Sequence, residues 1–141
     1  MDDTSTQPRE VMMASIIVDD RFQCRSAISK ETIEEYVAAS MDSEQWPFPP
    51  IRTVNGWLVD GRHRYEAAKQ LGKTSILAIR TEGSEQDALR LALAANSNHG
   101  LRRTQADVRK AITIAISAFP DESDRAIAKM VGTTHNTVGK L

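Results

Sequence analysis

Up to Gly100 the apolar positions of this 141-residue chain fall in short blocks broken by polar and turn-forming residues; beyond it they recur at helical spacing. Residues 1–13 open polar and acidic and read as a flexible arm. Residues 14–18 (ASIIV) are a β-branched run that predicts a strand, closed by Asp19 and Asp20. SKETIEEYVAASM predicts a helix: Ser29 can cap it, the acids from Glu31 to Glu35 suit its positive end, and Ile33, Tyr36 and Val37 share a face. The proline-rich stretch 44–50 (EQWPFPP) fits neither regular element and reads as a loop. In IRTVNGWLVDG two short strands flank Asn55-Gly56, a pair suited to a tight hairpin. The second strand runs into Asp60-Gly61 and an amphipathic helix seated by Ala67, Ala68 and Leu71. Residues 74–80 predict another strand. Ser84 then caps a helix whose apolar side is Ala88, Leu91, Leu93 and Ala94, and which gives out at Asn96-Ser97-Asn98-His99-Gly100. The order predicts an α+β body over 14–100, a small mixed sheet with packed helices, followed by an all-α region over 101–141.

In that last region residues 104–119 form a helix capped by Thr104 and stopped by Pro120. Ser123 caps another, Gly132 ends it, and Thr133 can cap a final one. Ile127, Ala128, Val131, Val138 and Leu141 face inward if these two helices cross steeply, with Ala128 as the small residue at the crossing. A small residue, a turn glycine and a branched apolar residue at these intervals make the helix-turn-helix spacing. Thr133, Thr134, His135, Asn136, Thr137 and Lys140 then point outward, with Arg102 and Arg103 ahead of them. Such side chains suit base edges and phosphates in the major groove of double-stranded DNA. Two packed helices with a polar outer face are the plain alternative. The sequence stops at Leu141 inside the second helix, so a truncated unit that continues further is expected.

Composition changes the picture in three respects. Charged residues are 26% and hydrophobic ones 40%, which fits a folded chain. The formal net charge of −1 is unevenly divided: eleven Lys/Arg face fifteen Asp/Glu before residue 99, and seven face four from there on. A basic end on an acidic body points to a polyanionic partner for that end. Cys24 is the only cysteine, which excludes an intrachain disulfide and a cysteine cluster for zinc and fits a reducing compartment. No apolar run reaches membrane-spanning length and MDDTSTQPRE lacks the layout of a secretory signal. A cytoplasmic location with no membrane partner is expected.

Candidate chemistry sits at Asp60-Gly61-Arg62-His63-Arg64. Positive groups here meet the end of a helix that is already positive, a cost that a bound anion would offset. A strand, a glycine turn and a helix start also aim several backbone N–H groups at one spot. His63 and Arg64 could add charge-assisted hydrogen bonds. A turn whose arginines are purely structural is the competing reading.

VDGRHRYEAAKQLG resembles the signature of the ParB/sulfiredoxin superfamily, in which a glycine-led, arginine-rich turn binds nucleotide phosphates. FQCR resembles the early Gln-x-Arg element of the ParB side, at Gln23 and Arg25, and AANSNHGLRR resembles its Glu-Asn-x-x-Arg element, aligning Asn96 and His99. The order then continues as in ParB proteins, so the similarity covers nearly all of residues 14–141. The resemblance implies a CTP-dependent DNA-binding clamp, a partition factor or transcriptional regulator, homodimeric at full length. It implies that Gly61, Arg62, His63 and Arg64 hold the phosphates of CTP or another nucleoside triphosphate, that Gln23, Arg25 and His99 line the pocket, and that Asn96 helps coordinate Mg²⁺. Arg64→Ala is expected to lose nucleotide affinity without unfolding if the turn is a pocket, and to keep it if the turn is a scaffold.

Several positions depart from the family pattern. Arg62 stands where related partition proteins have Glu, Glu66 where they have a second Arg, Ala95 at the carboxylate associated with hydrolysis, and His99 at an arginine. Binding is therefore expected ahead of hydrolysis, with at most weak CTPase or NTPase activity. His63, Arg64 and Tyr65 also match the Gly-Cys-His-Arg-Tyr turn of sulfiredoxin, but Arg62 occupies the reactive cysteine's place. Sulfinic acid reduction needs a thiolate there, which excludes that activity. The alternative function is a nuclease or nucleotide hydrolase using the same pocket, with one divalent ion between Asp60 and Asn96. Two-metal phosphodiester chemistry usually needs more carboxylates than these motifs supply.

Overall fold

The computed structural model describes residues 7–25, 27–98, 103–133 and 135–139, with the backbone alone for residues 96–98, 135 and 136. Among these residues four strands form one sheet: β1 (Arg9–Met12), β2 (Ile51–Val54), β3 (Trp57–Asp60) and β4 (Ser75–Thr81), in the order β1-β4-β2-β3. β4 pairs antiparallel with β1 and parallel with β2, while β2 and β3 are the expected hairpin. Asn55 (φ 50°) and Gly56 (φ 88°) take the left-handed conformation that a two-residue hairpin turn requires. Register slips once, between Arg52↔Asp60 and Thr53↔Leu58. Such an irregularity re-aims the strand end that delivers the Gly61 turn.

Among the described residues six α-helices accompany the sheet: α1 (Lys30–Met41), α2 (Arg62–Gln70), α3 (Glu85–Asn98), α4 (Gln105–Ala118), α5 (Asp124–Val131) and α6 (His135–Gly139). Their starts follow local chemistry. Ser29, Ser84, Thr104 and Ser123 each accept a backbone N–H from the third residue of the following helix. At α4 the exchange is reciprocal, because Asp107 accepts the Thr104 N–H in return at 2.9 Å. Gly132, left-handed at φ 81°, ends α5 as expected.

Two predicted elements are displaced. The arm is not free over its whole length: Arg9–Met12 joins the sheet edge beside β4, with Val11 its one buried residue. Residues 14–18 are not a strand. Met13–Ser15 is a short 3-10 turn, and Ile17 forms a single bridge to Trp57 on the open side of β3. Edge strands tolerate charge, so Arg9 and Glu10 concealed the real strand, while the β-branched run only covers an edge. On α3 the inward residues are Ala88, Leu89, Ala92 and Leu93; Ala94 is exposed, and the helix continues through Asn98.

The two faces of the sheet bury separate cores. One holds Val11, Ile51, Leu58 and Ile76 against Ala68 of α2. The other gathers Phe22, Val54, Val59 and Leu93 with Ala111, Ile112, Phe119, Ile127, Val131 and Val138. Body and helical region thus share one core, across the expected boundary near Gly100, a residue outside those described. No helix of the described residues is long and apolar enough to cross a membrane.

Candidate functional site

A cleft of about 660 Å³ opens beside the Gly61 turn. Its walls come from the loop after a second 3-10 turn at Asp20–Phe22 (Gln23, Arg25), the face of α1 that carries Thr32, Glu35 and Tyr36, the turn itself (Asp60 to Arg64), and Ala92, Ala95 and Lys110 of α3 and α4. Gln23, Arg25, Gly61, Arg62, His63 and Arg64, all singled out from sequence, meet here. Asn96 lies in α3, its side chain not described, and His99 is outside the described residues.

What each side chain does differs from its appearance in the sequence. Arg64 is 7% exposed and donates from Nη1 to the Pro49 and Pro50 carbonyls at 2.8 and 2.9 Å and from Nη2 to Asp60 at 3.3 Å. It clamps the proline-rich loop onto the turn. Arg62 donates from Nε to Glu66, one helical turn on, at 2.8 Å. The acid that departs from the family pattern therefore pairs with the arginine that departs from it. His63 accepts the Ser29 N–H on Nε2 at 2.9 Å, just before α1. Burial first, then Arg25 and Arg62, holds its pKa below the usual histidine value. His63 is thus a neutral acceptor fastening α1 to α2, rather than the cationic donor expected.

Gly61 has a packing reason too. Its φ is 104°, and a Cβ there would stand 2.6 Å from Ile51 Cγ2 and 3.0 Å from Arg64 Nη2. Among the described residues no side chain caps the N-terminus of α2 at Gly61, where the first N–H groups of a helix lack intrahelical partners.

Across the cleft, Gln23 donates from Nε2 to the Leu58 carbonyl at 3.0 Å, tying this loop to β3. Arg21 braces the same loop, bonded to Asp19 and Glu85. Arg25 pairs with the buried Asp107 at 3.3 Å, so the capping box of α4 reaches the cleft wall. Lys110 donates to the Arg25 carbonyl at 3.0 Å and to Asp20 at 3.2 Å. Cys24, between Gln23 and Arg25, is buried, and burial pushes its thiol up to about 11 against the pull of Lys110, Arg103 and Arg25. It is a protonated thiol at neutral pH.

Asp107 and Lys110 were missed as site residues. The Thr104-x-x-Asp107 box was legible, but nothing local says that its acid also faces Arg25. Thr32, Glu35 and Tyr36 carried a signal, since their spacing puts them on one face of α1.

Few of the expected DNA-contacting residues can be placed. Arg103 donates to the Val131 and Gly132 carbonyls at 2.8 and 3.0 Å, bracing the α5–α6 turn instead of pointing outward. A cation at a helix C-terminus is well placed electrostatically. Thr133 and Thr137 are partly exposed. Arg102, Thr134 and Lys140 lie outside the described residues, and the side chains of His135 and Asn136 are not described.

Comparison with solved structures bears on the fold. The ParB N-domain of a pNOB8-like system superposes with a TM-score of 0.66 at 15% identity, covering 99% of this chain and 69% of that one. C-terminally truncated ParB of Caulobacter crescentus bound to the centromeric parS site gives 0.62 at 16% identity, covering 93% and 68%. The chain has the fold of a ParB N-terminal domain. The Caulobacter protein with CTP-γ-S gives 0.58 at 16%, covering 94% of this ParB-like chain and 74% of its own.

In sequence, the ParB-like chain is 32% identical over 111 residues to a possible regulatory protein of the streptomycin biosynthesis operon of Streptomyces griseus, covering 79% of this chain. It is 36% identical over 119 residues to the transcriptional regulator NovG of Streptomyces niveus, covering 83%. It spans 32% and 36% of the length of these two relatives. No protein-family model matches it.

Proposed function

We propose that this chain is the nucleotide-sensing and DNA-contacting part of a ParB-like transcriptional regulator that acts in the cytoplasm as a homodimer at full length. One observation carries the reading: a single cleft gathers the Gln23–Arg25 loop, the Gly61–Arg64 turn and Lys110 of α4. The Arg25–Asp107 pair joins it to the helical region. Regulation is favoured over partition because both sequence relatives are named as regulators.

The residues present fit a nucleoside triphosphate, with CTP the first candidate. The cleft volume suffices, and its lining mixes cationic groups with Tyr36, Ile28 and Val59, suited to a base and sugar. The start of α2 would hold phosphate oxygens, with Arg25 and Arg62 adding positive field from within their ion pairs. Arg64 and His63 would shape the turn that presents them. Mg²⁺ bound with the nucleotide would neutralise phosphate charge, with Asn96 its protein ligand. Among the described residues no three His, Cys, Asp or Glu cluster as a metal site. The hydrolase alternative draws less support, because Arg64 already holds Asp60, the carboxylate it requires.

DNA would be met through Thr133, Thr134, His135, Asn136, Thr137 and Lys140. Fluorescence anisotropy of labelled duplex DNA, titrated with the chain at several salt concentrations with and without CTP, tests the reading. Binding that weakens with salt and changes with CTP is expected. Salt-insensitive or absent binding in both conditions would count against it.

A further inference from the structure

Among the described residues four cations line the cleft, and what holds each one decides which can turn to a ligand. Arg25, Arg64 and Arg62 are paired with Asp107, Asp60 and Glu66, whose side chains are only 6%, 11% and 21% exposed. Drawing the arginine away would leave each carboxylate poorly solvated, an unfavourable exchange. Lys110 stands apart. Its carboxylate partner, Asp20, is 88% exposed, so water can replace the ammonium at little cost. Its other contact, the Arg25 carbonyl at 3.0 Å, steadies Nζ without neutralising it. Lys110 follows Asp107 by one helical turn, so both project from the same side of α4 toward the cleft.

We propose that Lys110 is a phosphate-binding residue of the cleft, its ammonium exchanging the Asp20 carboxylate for a phosphate oxygen of the ligand. The inference rests on the reading of the cleft as a nucleotide site and adds a residue from the helical region to it. A ligand held this way touches the body and α4 together.

Calorimetric titrations of CTP with Mg²⁺, and separately of inorganic tripolyphosphate, test this on the unmodified chain and on Lys110→Met, Lys110→Arg, Asp20→Asn and Arg109→Met. Arg109 is the exposed neighbour and serves as control. Lys110→Met should weaken both ligands by roughly tenfold or more, and Lys110→Arg should restore most of the loss. Asp20→Asn should tighten both, a gain that damage to the fold would not produce. Arg109→Met should bind as the unmodified chain does. CTP binding that Lys110→Met and Asp20→Asn leave unchanged would overturn the proposal while keeping the nucleotide site. Lys110-dependent binding of tripolyphosphate without CTP binding would support it and remove the nucleotide reading. Failure of both ligands to bind the unmodified chain would overturn both.

Discussion

Arg64 shows how a residue can be conspicuous in sequence for the wrong reason. An arginine at a glycine turn suggests a ligand contact, yet its donors reach two backbone carbonyls and the Asp60 carboxylate. Arg64→Ala leaves those acceptors unpaired in a buried place and should destabilise the chain by about 3 kcal/mol or more, measured by urea denaturation. The substitution expected to separate pocket from scaffold therefore weakens the scaffold as well. His63 carries a second prediction. Burial, with Arg25 and Arg62, lowers its pKa from the ordinary 6.5, so the unfolded chain binds the extra proton first as pH falls. The stability from neutral His63 is fully present above about pH 6.5 and is lost below it, toward the lowered value. Denaturation between pH 7.5 and 5.5 should show this fall in the unmodified chain and a flatter profile in His63→Gln. At this scale the sequence displayed charge and not partners. Asp107, Glu66 and the two proline carbonyls are what change the meaning of Arg25, Arg62 and Arg64.

Elements were more legible, because their signals are local. Ser29, Thr104, Ser123, Asn55-Gly56 and Gly132 act where short-range hydrogen bonding and backbone sterics said they would. The edge strand Arg9–Met12 was missed because its reason for existing is a vacancy beside β4, far along the chain. Gly61 and Gly72 permit a paired test. Both have positive φ, but a Cβ at Gly61 runs into Ile51, whereas one at Gly72 meets nothing within 4 Å. Gly72→Ala should cost about 1 kcal/mol from backbone strain alone, and Gly61→Ala distinctly more. Equal losses in thermal or urea melts would show that the Ile51 contact is not limiting.

At the scale of the molecule, periodicity told which side of each helix is apolar but not what it meets. The change of pattern near Gly100 read as a boundary, yet Ile112, Ile127 and Val131 share a core with Phe22, Val54 and Leu93. One cooperative unfolding transition follows. Both tryptophans, Trp46 and Trp57, lie in the body, so their emission reports the body, while far-ultraviolet circular dichroism also reports α4 and α5. The two signals should give coincident melts, and Ile112→Ala should shift both together, by about 2–5 kcal/mol. Separate transitions would mean that the helical region folds by itself.

That shared core gives the cleft its interest, since whatever fills it touches groups tied to both regions. The most direct test is isothermal titration of CTP, ATP, GTP and UTP, each with Mg²⁺, into the unmodified chain. Saturable binding of CTP, with the other nucleotides weaker or silent, is the predicted result. No heat of binding from any of the four, by a chain whose melts show it folded, would contradict the account.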